Sequence, residues 1–203
     1  MPGWTSKNDV EVIEKTVPYK GYFRLERYVI RHRLFGGAMS KPLVREIFER
    51  GHAAAVLPYD PKRDEVVLIE QFRPGAFVAG LDPWIVEVVA GIVEAGETPE
   101  GVVRREAVEE AGVTIRRLER IGMSIVSPGG SSETLTLFCG EVDASGAGGV
   151  HGVAHEGEDI RVFVSTATDA FDRLGRGEII AAPAIMTLQW LATNRNRLRR
   201  EWS

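Results

Sequence analysis

Gly91-Ile92-Val93-Glu94-Ala95-Gly96-Glu97 and, after a gap of seven residues, Arg105-Glu106-Ala107-Val108-Glu109-Glu110-Ala111-Gly112-Val113 decide how this chain is read. The spacing is G-x5-E-x7-R-E-U-x-E-E-x-G-U, with U a bulky aliphatic. Only Ala107 is smaller than its slot prefers. Thr98 suits an N-cap and Pro99 the first helical position, where a missing N–H costs nothing. Glu100 then meets the positive end of the helix dipole. Gly112 suits the residue that ends a helix in a left-handed conformation. A helix from Pro99 to about Ala111 is expected, with Val103, Ala107, Val108 and Ala111 facing a core. Glu106, Glu109 and Glu110 are related by i+3 and i+4, so their carboxylates crowd one face. Such a cluster can be a solvated acidic surface. With Gly91 and Glu97 at fixed distances upstream, a divalent cation that neutralises the carboxylates is the stronger reading, and Mg²⁺ takes one or two carboxylates plus waters and phosphate oxygens.

The rest of the composition narrows the class. A chain of 203 residues with 44% hydrophobic content suits one medium domain with a small appendage. A formal charge of −4 leaves no basic footprint for nucleic acid. The single cysteine, Cys139, lies in the apolar run 135–139, which points to a buried thiol in a reducing, cytoplasmic setting. Residues 1–4 carry no apolar signal core, and no stretch approaches transmembrane length.

Along the chain, residues 1–50 read as a small antiparallel β-sheet domain and 51–203 as the main domain. Strands are expected over 9–17, 21–35 and 43–48, with a bulge between Leu25 and Tyr28 where the apolar parity slips. A sheet of this size needs something to pack on, the rest of the chain or a second subunit. In the main domain, strands over 53–57 and 65–72 flank the turn at 59–64. Residues 84–90 form one strand running into Gly91, and further strands fall near 120–126, 134–142 and 159–164. Helices are expected over 167–174 and 183–200, the second with Ile185, Leu188, Trp190 and Leu191 as its apolar face. Strands around a central helix, with further helices outside, make an α/β sandwich. The Gly-rich segment 144–158 ends in an acidic run and suits a catalytic lid. His151 and His155, single histidines in a short loop, are read as solvated residues.

The pattern at 91–113 is the signature of the Nudix hydrolases. The run 69–73, the segment Ser127-Pro128-Gly129-Gly130-Ser131-Ser132-Glu133, and His151-Gly152 with 156–162 extend a resemblance to the bacterial ADP-ribose pyrophosphatases of that family over almost the whole chain. The resemblance implies the Nudix α/β/α sandwich with an N-terminal antiparallel sheet. It implies homodimers whose N-terminal sheets reach over the partner's site. It also implies Mg²⁺, with Mn²⁺ as a substitute, on the carbonyl of Ala90 and the carboxylates of Glu106 and Glu110, with Glu109 close by. Glu156 would activate the attacking water, with Glu158 and Asp159 as rivals. Arg73 would contact the diphosphate, unless it is a surface partner of Glu87. Tyr22, or Phe23 in the neighbouring register, and Arg45 would sandwich adenine, and Glu133 would lie near the terminal ribose. Glu97 is read as an outer metal ligand or a partner of Arg105. The implied reaction is hydrolysis of ADP-ribose to AMP and ribose 5-phosphate. Two alternatives stand: action on another nucleoside diphosphate sugar such as GDP-mannose, and a catalytically silent ADP-ribose-binding module.

Overall fold

The computed structural model describes residues 5–153 and 157–202. It contains two compact units, each treated by itself. One is the chain up to His52 together with Ile125–Thr134; the other is Ala53–Ser124 with the chain from Leu135.

The first unit is built on a three-stranded antiparallel sheet. After the short helix α1 (Ser6–Asp9) come β1 (Val10–Lys20), β2 (Arg24–His32) and β3 (Leu43–Glu49), in spatial order β1-β2-β3. The register of β2 on β3 is unbroken from Arg24 to Ile30. The irregularities lie in β1, between Val12 and Glu14 and between Thr16 and Tyr19. The second of these faces Glu26, so the slipped parity near Leu25 marks a distortion in the partner strand. Glu26 is buried, and Lys15 at 2.8 Å and the Tyr28 hydroxyl at 2.6 Å hold its carboxylate below the usual range. Every residue of β1 is exposed. The segment from Ile125 is pinned by the Phe48 N–H donating to the Gly130 carbonyl at 2.8 Å and by the Ser132 hydroxyl donating to Glu49 at 2.6 Å.

The second unit is a mixed sheet with helices on both faces. Its strands are β4 (His52–Asp60), β5 (Glu65–Phe72), β6 (Trp84–Glu87), β7 (Val89–Val93), β8 (Leu118–Ile125), β9 (Thr134–Glu141), β10 (Gly149–His151) and β11 (Ile160–Thr166), the end residues His52, Ile125 and Thr134 belonging to the other unit, and the short helix α2 (Pro74–Val78) follows β5. Their order is β10-β11-β5-β4-β9-β8, with β6 on β5 and β7 on β4. β4 runs parallel to β9, from Ala53 opposite Leu135 to Tyr59 opposite Glu141. β4 and β5 pair with each other only at their turn, Tyr59 with Val66 and Asp60 with Glu65. Beyond that point they splay: β5 takes β6, and β4 takes β7. The apolar run 84–90 is therefore two strands broken at Val88, because its halves pair with different partners.

One sheet face packs Val67, Ile69, Val89, Phe138 and Ile160 against Val102, Val103, Ala107 and Ala111 of the central helix α3 (Pro99–Glu109) and its end. The other packs Leu57, Leu68 and Leu137 against α4 (Ala167–Gly175) and α5 (Ala182–Trp202) through Ala170, Leu188, Leu191 and Leu198. Each such Leu contributes about 1.5–3 kcal/mol by leaving water. Two expected faces are corrected. Val108 is 54% exposed and Val102 takes its place in the core. The buried side of α5 includes Thr187, whose hydroxyl donates to the Pro183 carbonyl at 2.8 Å, while Ile185 and Trp190 are only partly buried. Helix α5 is tied to the β4–β5 turn by Arg195 and Arg199, which both pair with Asp64. Cys139 is fully buried, and burial pushes its thiol far above the range in which it would act as a nucleophile.

Candidate active site

The ends of α3 are fixed as its residues require. Thr98 accepts a hydrogen bond from the Gly101 N–H at 3.1 Å, and Pro99 opens the helix. Gly112 has φ of +64°, and the Gly112 and Val113 N–H groups close the last turn on the Val108 and Ala107 carbonyls at 3.1 and 2.9 Å. The helix thus stands against β7 with Glu106 and Glu110 turned to its start. The Ala90 N–H donates to Oε2 of Glu110 at 3.0 Å. A Cβ at Gly91 would lie 2.5 Å from Cδ of Glu106, so the first residue of the sequence pattern must lack a side chain.

The carboxylates differ in burial and partners. Glu110 is 4% exposed, and burial raises its pKa to about 8. The Ala90 hydrogen bond opposes that shift, Glu106 and Glu158 add to it, and Arg73 opposes it. Glu106 is also raised, first by burial, against the pull of Arg105. Arg105 reaches Glu106 and Glu109 at 2.8 Å each and Glu97 at 3.4 Å. Glu97 itself accepts from the Glu94 N–H at 3.0 Å. Glu97 is thus a partner of Arg105 in this structure.

Arg73, at the end of β5, pairs with Glu87 at 2.6 Å. The surface-partner alternative is realised, yet the guanidinium stays close enough to influence Glu110. Glu158, whose charge acts on both Glu106 and Glu110, accepts from the Val153 N–H at 3.0 Å. His151 lies over Gly112, where a Cβ would come within 2.8 Å of its Cε1, and its Nε2 is 2.9 Å from the Gly148 carbonyl oxygen. The reading of His151 as a solvated residue is corrected: it packs the loop root onto the end of α3. Glu156 and His155 lie outside the described residues.

The remaining expected residues belong to the first unit. Tyr22 is 86% exposed at the β1–β2 turn, its ring edge-on to Phe23 with centroids 4.7 Å apart. Phe23 is occupied by Phe48 at 5.1 Å and Arg50 at 5.3 Å, which leaves Tyr22 as the presented aromatic. Arg45, opposite Tyr28 on β3, donates to its own neighbour's carbonyl at Val44. Glu133 pairs with Arg50 at 3.5 Å.

The second unit therefore gathers Ala90, Glu106, Glu109, Glu110, Arg73 and Glu158. Among the described residues no three acidic or imidazole side chains form a complete metal cage. Two carboxylates raised first by desolvation and then by neighbouring acidic charge, Glu110 buried and Glu106 half-buried, with nothing but oxygen donors offered, suit a hard divalent cation that completes its shell with water and phosphate.

A model of the NUDIX domain matches residues 49–194. The chain belongs to the Nudix family. Along its whole length it is 49% identical to the ADP-ribose pyrophosphatase of Escherichia coli K12, covering 97% of that protein. Over 90% of its length it is 34% identical to the GDP-mannose pyrophosphatase of Cronobacter sakazakii, covering 95% of that protein. The crystal structure of an ADP compounds hydrolase superposes on 92% of the chain and 96% of its own, with a TM-score of 0.68 at 16% identity, which supports the Nudix fold.

Proposed function

We propose that this Nudix protein hydrolyses the diphosphate of ADP-ribose to AMP and ribose 5-phosphate in the presence of Mg²⁺. The observation that carries the reading is the pair of carboxylates, half-buried Glu106 and buried Glu110, set against Ala90 and Gly91 by the family pattern. Full-length similarity to an ADP-ribose pyrophosphatase, well above that to a GDP-mannose pyrophosphatase, supports the substrate.

In this reading Glu106, Glu110 and the Ala90 carbonyl hold the cation, with Glu109 beside them. Bound there, Mg²⁺ supplies Lewis acidity, neutralising phosphate oxygens and acidifying water. Arg73 leaves Glu87 or shares it to meet the diphosphate. Glu156 takes the proton from the attacking water. Tyr22 and Arg45 stack on adenine, and Glu133 meets the terminal ribose. The fully exposed β1 and the presented Tyr22 support a homodimer in which the N-terminal sheet serves a second copy's site. Light scattering that found a fully active monomer would contradict that arrangement. Among the described residues no helix is long and apolar enough to cross a membrane; we read the enzyme as cytoplasmic.

The experiment is a panel of nucleoside diphosphate sugars. The highest kcat/KM is expected for ADP-ribose; a higher value for GDP-mannose would move the enzyme to the alternative substrate. Binding of ADP-ribose without turnover at millimolar Mg²⁺ would instead mark a silent binding module.

A further inference from the structure

The imidazole of His151 is seated on Gly112, just past the end of α3. A Cβ at Gly112 would lie 2.8 Å from Cε1, 3.4 Å from Nδ1 and 3.6 Å from Nε2 of that ring. Nε2 is 2.9 Å from the Gly148 carbonyl oxygen. That oxygen can only accept, so Nε2 carries the proton and donates. The ring is thus held by its own hairpin and pressed against the chain two residues beyond Glu110. The backbone of His151 pairs with Ile160, a fully buried residue in the same core as Ala111. The next residue, Gly152, has φ of +102°, and a Cβ on it would come within 2.8 Å of Cβ of Glu158. The Val153 N–H donates to the Glu158 carboxylate at 3.0 Å, and the Glu158 N–H donates to the Val153 carbonyl at 3.4 Å. Glu158 is therefore clasped to the two residues that follow His151. Its charge is close enough to act on both Glu106 and Glu110.

These contacts make a continuous path. It runs from the end of α3 through Gly112 and His151 to the clasp at Gly152 and Val153, and so to Glu158, which faces back on the carboxylates of α3. Resting on the reading that Glu106 and Glu110 hold a cation, we propose that His151 is a positioning residue: seated on Gly112, it sets where the Glu158 carboxylate stands relative to Glu106 and Glu110, and so adds that charge to the pull on the cation. In this role His151 acts only through Glu158. Without the ring the seat is empty, and the clasp is free to shift away from the helix.

A double-mutant cycle on Mn²⁺ affinity, read by electron paramagnetic resonance without substrate, tests this. His151→Ala removes the ring. Glu158→Gln removes the charge but keeps an oxygen for the Val153 N–H. Each alone should weaken Mn²⁺ binding about ten- to a hundredfold, the usual cost of losing a group that orients or supports a metal site. The double variant should bind within about twofold of the weaker single variant, because both changes break one path. kcat for ADP-ribose at fixed Mg²⁺ should fall in step. If the Ala variant does not fold, His151→Leu, which fills the seat but loses the bond to Gly148, takes its place in the same cycle with the same expected direction. Affinity within about twofold of wild type in the His151 variant would overturn the assignment. So would losses that add in the double variant, since His151 would then act by a route that bypasses Glu158. A wild type that binds Mn²⁺ but leaves ADP-ribose intact would sink the substrate reading alone, and the cycle would still decide His151. A wild type that binds no Mn²⁺ would overturn the cation site on which both rest.

Discussion

Gly91 lies directly beneath the side chain of Glu106: a methyl group at Gly91 would sit 2.5 Å from Cδ and 2.6 Å from Cγ of that carboxylate. The strand that begins the family pattern and the helix that ends it are thus in van der Waals contact at two of the pattern's own positions. Gly91 does not have a positive φ, so its requirement is space rather than backbone conformation. The Ala90–Glu110 hydrogen bond one residue earlier fixes the same approach.

Gly91→Ala should leave the fold in place and push Glu106 aside. A misplaced ligand group typically costs ~10²-fold. The expected result is a loss of that order in kcat, with a raised Mg²⁺ requirement and an unchanged far-UV circular dichroism spectrum. A variant with wild-type kcat would show that the position of Glu106 does not matter.

The Glu110 carboxyl gives the metal-free protein a pH dependence. Its pKa is raised from 4.5 to about 8, chiefly by burial, so the folded state holds the proton more tightly than the unfolded chain. The stability this contributes is complete below about 4.5 and is lost as pH rises through about 8, at up to about 1.4 kcal/mol per pH unit. Melting temperature in EDTA should therefore fall between pH 5 and 8, and Glu110→Gln should flatten that slope. Mg²⁺ should raise the melting temperature at pH 8. A slope unchanged in the Gln variant would assign the dependence to other groups.

Glu156→Gln should separate proton transfer from metal binding. General-base removal typically costs ~10²- to 10⁴-fold, so kcat should drop sharply while the Mg²⁺ titration stays near wild type. Glu110→Gln should disturb both. If Glu156→Gln weakened Mg²⁺ binding as much as it lowered kcat, Glu156 would be chiefly a ligand.

How much of this is legible in the sequence depends on whether the cause is local. The ends of α3 are readable because Thr98, Pro99 and Gly112 act on their own backbone. Which valine it buries is not, since Val102 and Val108 are separated only by the direction in which the sheet lies. The break at Val88 is hidden for a similar reason: an apolar run says strand, and only the splaying of β4 from β5 divides it. The acidic residues of the site and the pairing of Arg105 with Glu97 follow from spacing, but the packing of His151 on Gly112 joins positions far apart in the chain. The one available hint was that Gly112 leaves room for a neighbour.

The central claim, that Glu106 and Glu110 serve cleavage of a phosphoanhydride in ADP-ribose, is tested most directly by ³¹P NMR of the reaction with Mg²⁺. The diphosphate resonances should be replaced by two phosphomonoester signals in equal amounts, AMP and ribose 5-phosphate, and Glu110→Gln should abolish the change. Diphosphate resonances that persist in the wild-type reaction would contradict it.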